Sequence, residues 1–260
     1  MTLAHPAYGR LRQVTDTAAV LLADNPGRMT LDGTNTWVLR APGSEDCVVV
    51  DPGPKESGHL DAVAATGNVA LVLVTHRHRD HTAGLKRFHR KTGAPIRAHS
   101  GEFLHGDTDP LVDGEVIDAA GVSITVLSTP GHTADSLSFV LDDAVLTGDT
   151  ILGRGTTVLD PQDGSLGDYL TSLDRLEEAG AGKMVLPGHG AEVPDTAEVV
   201  RFYRSHRLER LAQVKAALDE LGEDAKPMQV VKHVYADVDK KLWPAARMSV
   251  KTQLAYLRQN

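Results

Sequence analysis

Five histidines and two aspartates stand directly after four short apolar runs, and this placement constrains the fold more than any other feature of the chain. His76 and His78 follow VALVLVT, and Asp80 and His81 open the segment after them. His132 follows VSITVLST in TPGHT, Asp149 follows AVLT in TGDT, and His189 follows KMVL in PGHG. Runs of this length, rich in Val, Leu, Ile and Thr and bounded by Gly, Pro or Asp, read as strands. Open α/β sheets collect their ligands at the carboxyl ends of strands. A lone histidine is as readily a surface residue as a ligand, so His5, His59, His89, His99, His105, His206 and His233 are read as ordinary. Four strand ends that together supply five His and two Asp are read as one metal site.

The remaining pattern supplies the scaffold. TNTWVLRA, DCVVVDPG, PIRAHS and LSFVLD read as further strands. HTAGLKRFHRKTG reads as a helix, and SLGDYLTSLDRLEEAG carries Leu166, Leu170, Leu173 and Leu176 at helical spacing. The texture changes near Pro194. DTAEVVRFYRSHRLERLAQVKAALDELG predicts one helix roughly 40 Å long at 1.5 Å per residue. PMQVVKHVYAD and PAARMSVKTQLAYLRQN predict two more. The expectation is a mixed α/β body over residues 1–195 and a small helical module over 196–260. The N-terminus lacks an apolar stretch of signal-peptide length. No run approaches the roughly 18–20 apolar residues of a membrane span. A cytoplasmic protein with no membrane partner is therefore expected. The single cysteine, Cys47, has no partner for an internal disulfide and sits in CVVVD, where a core position is expected.

The net charge of −8 is unevenly spread: residues 201–260 carry +5 and residues 1–200 carry −13. A basic tail on an acidic body raises the question of a nucleic-acid partner. Arg201, Arg204, Arg207 and Arg210 recur at every third position, beside Phe202 and Tyr203. Such a stripe would neutralise phosphates while the aromatics stacked on bases. The preferred reading is plainer: Phe202 and Leu208 pack on the core and the arginines are solvated.

The segment Thr75-His76-Arg77-His78-Arg79-Asp80-His81 resembles the T-H-x-H-x-D-H signature of the metallo-β-lactamase superfamily. Asp51 in VVVDPG, His132 in PGHT, Asp149 in GDT and His189 in PGHG match its other motifs in order and spacing, over roughly residues 14–195. The resemblance implies an α/β fold, a four-layer αβ/βα sandwich with a metal site along one edge. It implies that His76, His78 and His132 hold one metal, that Asp80, His81 and His189 hold a second, and that Asp149 bridges. Imidazole and carboxylate donors suit two Zn²⁺, with Mn²⁺ or Fe as alternatives. Two such ions share one hydroxide and lower the pKa of bound water toward ~7. Asp51 either orients a ligand histidine from behind or caps the DPGP turn. Thr133 and Ser136 either bind a substrate oxyanion or cap the turn after His132. Asn35 either reaches the cleft or serves its turn.

Within the superfamily, several branches fit poorly. The β-lactamases proper usually have Cys where this chain has Asp149. Only 39 residues separate Asp149 from His189, too few for the inserted domain of the nucleic-acid-processing branch. Flavodiiron-type proteins carry Glu at the position of His78. The stretches NPGRMTLDGTNTWVL (25–39) and GDTILGRGTTVLDPQDGSLGDYLTSLDRL (148–176) resemble the lactamase-beta-2-like proteins, a group that contains an endoribonuclease for single-stranded RNA and ends in a helical, winged-helix-like module. Two zinc ions less two carboxylates and one hydroxide leave about +1 at the centre, suited to a substrate with an anionic or electrophilic centre. The expectation is a dinuclear zinc hydrolase in which Asp80 orients the nucleophile. A phosphodiester of single-stranded RNA is the first substrate and a glyoxalase II-like thioester the second. The reading from another class is a non-catalytic module that binds nucleic acid or protein.

Overall fold

The computed structural model describes residues 4–259. Its first sheet has the strand order β1–β6: Arg12–Gln13, Ala18–Leu22, Asn35–Leu39, Asp46–Val50, Asn68–Leu73 and Ile96–Arg97. The second runs β11-β10-β9-β8-β7, from Met184–Pro187 through Ala144–Gly148, Leu137–Val140 and Val122–Ser128 to Val116–Ala119. Strands β4 and β5 are parallel, joined through α1 (Ser57–Ala64). Strands β10 and β11 are parallel, joined through α4 (Leu166–Ala179). Because β8 and β10 are both antiparallel to β9, they point the same way. The carboxyl ends of β4, β5, β8, β10 and β11 are the ones that carry the ligand candidates.

Alternation along each strand builds the layers, since neighbouring side chains leave opposite faces. Val48 and Val50 face the second sheet and meet Ile124, Phe139 and Leu146 in one buried cluster. Cys47 and Val49 face outward and pack with Leu60 and Val63 of α1 and with Leu85 and Phe88 of α3 (Leu85–Thr92). On the far side, Val145 and Val185 meet Tyr169 and Leu173 of α4 and Val200 and Tyr203 of α5 (Thr196–Leu221). Sheets buried on both faces explain why the central strands read as unbroken apolar runs. The result is the expected four-layer αβ/βα sandwich. Cys47 is fully buried, as its sequence setting implied.

Helix α5 starts where the composition shifts. Asp195 caps it by accepting from the Glu198 amide at 2.8 Å. Its first half belongs to the sandwich core. Its second half, with Val214 and Ala217, forms a separate core with Val230 and Val231 of α6 (Pro227–Val234) and Val250 and Leu254 of α7 (Trp243–Leu257). No helix among the described residues is long and apolar enough to cross a membrane.

The structure corrects the reading of HTAGLKRFHRKTG as one helix. Helix α2 (Arg79–Thr82) stops and α3 begins after Gly84. The Gly84 amide donates to the Gly53 carbonyl, not to the preceding turn, and a Cβ there would stand 2.8 Å from that same oxygen. Strands β1, β2 and β7 and helix α1 were not singled out in the sequence. Of these, β1 is only two residues long.

Phe139 is fully buried between the sheets. Phe139→Ala is expected to cost about 3–5 kcal/mol in urea denaturation, through lost burial and the cavity left behind. A loss below about 1 kcal/mol would mean the inter-sheet core is not packed as described.

Candidate metal centre

The centre is assembled from the turns that leave β4, β5, β8, β10 and β11. Asp51, just past β4, has a φ of 50°, a left-handed conformation that Asp tolerates better than most residues. In that pose its carboxylate accepts from the Thr75 amide at 2.8 Å, from Thr75 Oγ1 at 2.6 Å and from His81 Nδ1 at 2.8 Å. Thr75 Oγ1, its own proton committed to Asp51, accepts from His76 Nδ1 at 2.9 Å. One buried carboxylate therefore orients His81 directly and His76 through Thr75. Of the two roles the sequence left open for Asp51, these contacts match the orienting one.

Each of the other histidines is tied back in the same manner. His132 Nδ1 donates to the Val158 carbonyl at 2.7 Å, and His189 Nδ1 donates to the Gly33 carbonyl at 2.9 Å. His78 is turned around: Nε2 meets Asp160 Oδ2 at 2.8 Å and Nδ1 points inward. A ring nitrogen that donates outward leaves an electron pair on the other nitrogen, which is how a protein fixes the tautomer of a metal-ligating histidine.

The inward nitrogens gather in two groups. His78 Nδ1 lies 3.0 Å from His76 Nε2 and 3.1 Å from His132 Nε2. Asp149 Oδ2 lies 3.9 and 3.7 Å from the latter two. In the second group, Asp80 Oδ2 is 3.2 Å from both His81 Nε2 and His189 Nε2. Asp149 reaches this group too, with Oδ2 3.2 Å from His189 Nε2 and Oδ1 3.5 Å from His81 Nε2. Asp149 Oδ1 is buried and accepts no hydrogen bond. Donor atoms within each group lie within 4.8 Å of one another. Electron pairs converging at such distances, with an orphaned carboxylate oxygen between them, fit a pair of cations. A third grouping, Asp51 with His76 and His81, is less suitable, because the Asp51 oxygens are already taken by three donors.

Glycines make the approach possible. A Cβ on Gly188 would stand 2.5 Å from Asp149 Oδ1 and 2.9 Å from the His81 ring. A Cβ on Gly148, whose φ is 48°, would stand 2.8 Å from Thr75.

Electrostatics divides the two groups. Burial pushes the His132 imidazole down to about 4, and it pushes His76 well below the ordinary value, with His81 adding to the effect. These rings are neutral at pH 7 with electron pairs free. Burial also disfavours charge on His189 and His81, but carboxylates prevail. Asp149 and Asp80 raise His189 to about 9, and Asp80 with Asp51 holds His81 well above its usual range. Burial raises the Asp80 and Asp149 carboxyls, and the neighbouring histidines more than reverse that, keeping both ionised.

The other sequence candidates, Asn35, Thr133 and Ser136, hydrogen-bond within the protein. Asn35 is buried, and its Nδ2 donates to the Pro187 carbonyl at 2.9 Å and the Gly190 carbonyl at 2.8 Å, clamping the turn that carries His189. Thr133 and Ser136 are buried with their hydroxyl oxygens 2.7 Å apart, and Ser136 Oγ accepts from the Thr133 amide. The contacts of all three match the turn-forming alternative. Nothing in the sequence marks Asp160 as the partner of His78, nor Thr34, whose hydroxyl donates to Asp80 Oδ2 at 3.0 Å. Backbone carbonyls 33 and 158 carry no residue-type signal.

The arginine stripe departs from the plainer reading, in which Phe202 and Leu208 pack on the core. Phe202 and Leu208 are half exposed, whereas Tyr203 and Arg207 are buried. The spacing of three drifts around the helix, so Arg207 turns inward under the sandwich. Arg204 pairs with Asp174, and Arg201 lies 3.7 Å from Glu177. Tyr203 donates no stacking face to solvent. A small cleft does open beside His132 and Asp149, lined by Arg28, Met29, Leu31, Leu152, Arg154 and Thr156–Val158.

Asp51→Asn should weaken metal binding 10–100-fold in a chelator competition, as loss of an orienting partner does. An unchanged affinity would show that the Asp51–His81 and Asp51–Thr75–His76 links do not tune the centre. A second expectation concerns protons. His189, raised to about 9, must give up its proton to accept a cation. Adding zinc to weakly buffered metal-free protein at pH 7 should release acid, and affinity should fall as pH drops below about 9. Uptake without proton release would contradict this.

Comparison with known proteins places the chain in a family. The family model described as "Metallo-beta-lactamase superfamily" matches residues 29–189, and "Beta-lactamase associated winged helix domain" matches residues 227–260. The chain is 30% identical to the beta-lactamase-like protein 2 homolog of Drosophila melanogaster, over 98% of this chain and 91% of that one. It is 33% identical to an atrochrysone carboxyl ACP thioesterase of Aspergillus chevalieri, over 83% of this chain and 70% of the relative. In fold it is similar to a beta-lactamase domain protein from Burkholderia ambifaria, with a TM-score of 0.79 at 20% identity, covering 98% of this chain and 90% of that one. Sandwich, edge-on ligand clusters and winged-helix tail thus agree with the matched families, and the chain belongs to the metallo-β-lactamase superfamily of hydrolases.

Proposed function

We propose that the protein is a dinuclear metal-dependent hydrolase whose substrate is an acyl thioester. The observation that carries the metal reading is the set of five inward imidazole nitrogens, each with its opposite nitrogen engaged, around two carboxylates. His76, His78, His132 and Asp149 would hold one ion, and Asp80, His81, His189 and Asp149 the other. Zinc suits the donor set, with manganese or iron as alternatives. Bound there, the ions would supply Lewis acidity and a water ionised near neutral pH.

The chain's own groups do the rest. Asp80 keeps 26% of its side chain exposed, against 10% for Asp149, so it is the carboxylate that meets incoming solvent. Fixed by Thr34, it orients the attacking water. The water oxygen bonds to the acyl carbon, the carbon–sulfur bond breaks, and the proton the water has given up passes to the departing thiolate, giving acid and thiol.

Two observations favour the thioester. The cleft beside the ligands is largely apolar, with Met29, Leu31, Leu152 and Val158 suited to an acyl chain. One relative, 33% identical, is a thioesterase. Cleavage of single-stranded RNA is the second reading. That reading rests on the lactamase-beta-2-like resemblance; of the stripe, Arg204 is paired and Arg207 buried, whereas Arg201 is exposed and Arg210 forms no ion pair among the described residues, and Arg28 is exposed at the cleft rim.

Metal-loaded protein should hydrolyse an acetyl thioester, and Asp80→Ala and His132→Ala should each lower turnover at least about 10³-fold without loss of far-ultraviolet circular dichroism. RNA cleavage with no thioester hydrolysis, lost in the same variants, would move the assignment to the second reading. Normal turnover by either variant would remove the metal centre from the reaction.

A further inference from the structure

A second cavity of 280 Å³ lies between the sandwich and the helical module. Its walls come from α5 (His206, Arg207, Arg210), from the region of α6 and α7 (Tyr235, Gln253) and from Thr156–Val158. That last segment also lines the cleft at the metal centre, so the two spaces share a wall. No Asp or Glu lines the cavity.

Its polar groups are underused. Arg207 is 4% exposed and forms no ion pair among the described residues. It donates to the Thr157 carbonyl and lies 4.9 Å above the Tyr169 ring, and its Nε has no acceptor. Gln253 is 2% exposed with an unpartnered Oε1, and His206 Nδ1 is likewise unpartnered. Arg210 lies 5.0 Å over the Tyr235 ring and reaches only Gln213 by hydrogen bond. Burying a guanidinium without a carboxylate is costly, and a protein of net charge −8 has ample carboxylates to supply. Two arginines without a carboxylate partner among the described residues line this acid-free cavity and match a phosphate group, which Arg recognises with paired donors.

We infer that this cavity is a phosphate-binding subsite that anchors a phosphorylated arm of the substrate while the reactive end enters the metal cleft. Resting on the thioester reading, the inference identifies the substrate class as a thioester carried on a phosphate-bearing arm. A nucleic-acid phosphate presents the same chemistry, and the experiment separates the two sources.

Three probes are applied to metal-loaded full-length protein and to its Arg210→Gln and Gln253→Leu variants. They are inorganic sulfate followed by calorimetry, acetyl-CoA against phosphate-free S-acetylpantetheine, and a single-stranded RNA oligomer. Sulfate affinity should fall about tenfold in Arg210→Gln, as loss of one charge-assisted contact implies. KM for acetyl-CoA should rise by a similar factor with kcat unchanged, and S-acetylpantetheine kinetics should not move. If only RNA cleavage responds to the variants, the subsite stands and its phosphate comes from nucleic acid. If sulfate binding falls but no thioester is hydrolysed, the subsite stands and the proposed activity fails. Equal sulfate affinity and equal KM in wild type and both variants would overturn the subsite.

Discussion

The Pro187 carbonyl takes hydrogen bonds from Trp37 Nε1 at 3.0 Å and Asn35 Nδ2 at 2.9 Å, and through it the two sheets meet in register at the edge that carries the ligands. Trp37 and Asn35 belong to the first sheet and Pro187 ends the last strand of the second. The Thr75 carbonyl closes the same edge from the other direction by accepting from the Leu137 amide at 2.8 Å. Together with the buried core between the sheets, these ties fix His189 and Asp149 on one sheet relative to His76 and His81 on the other. The two ligand groups draw on both sheets, so the centre exists only where the sandwich is closed.

That closure also explains the uneven protonation of the ligands. His76 and His132 are buried where desolvation prevails and stay neutral. His81 and His189 are equally buried but face Asp80 and Asp149, and there the carboxylates prevail. In the metal-free protein, protons on this second pair offset the carboxylate charge. A cation bound at the centre would replace them, which would couple metal binding to proton release.

Much of the centre was legible in sequence because ligands must be specific residue types and strand ends must be followed by turns. Seven residues were identifiable from four strand-end motifs. Roles that depend on a neighbour in space were less visible. Asp160 is 82 positions from His78, and nothing local in VLDPQDG marks it as an imidazole partner. By residue type Asn35 and Ser136 suit either a substrate contact or a turn, and the burial and partners that bear on the choice are invisible in sequence. The arginine stripe shows the limit of periodicity. A spacing of three does not stay on one face of a helix with 3.6 residues per turn, so one of the four arginines turned inward. That inward arginine now lines the cavity between the two parts of the chain.

The central claim is that Asp149 joins two adjacent cation sites. Native mass spectrometry of the metal-loaded protein, beside Asp149→Ala, tests it most directly. The expected result is two divalent ions per wild-type chain and at most one in the variant. A single ion in the wild type, or two retained in Asp149→Ala, would contradict a bridged dinuclear centre.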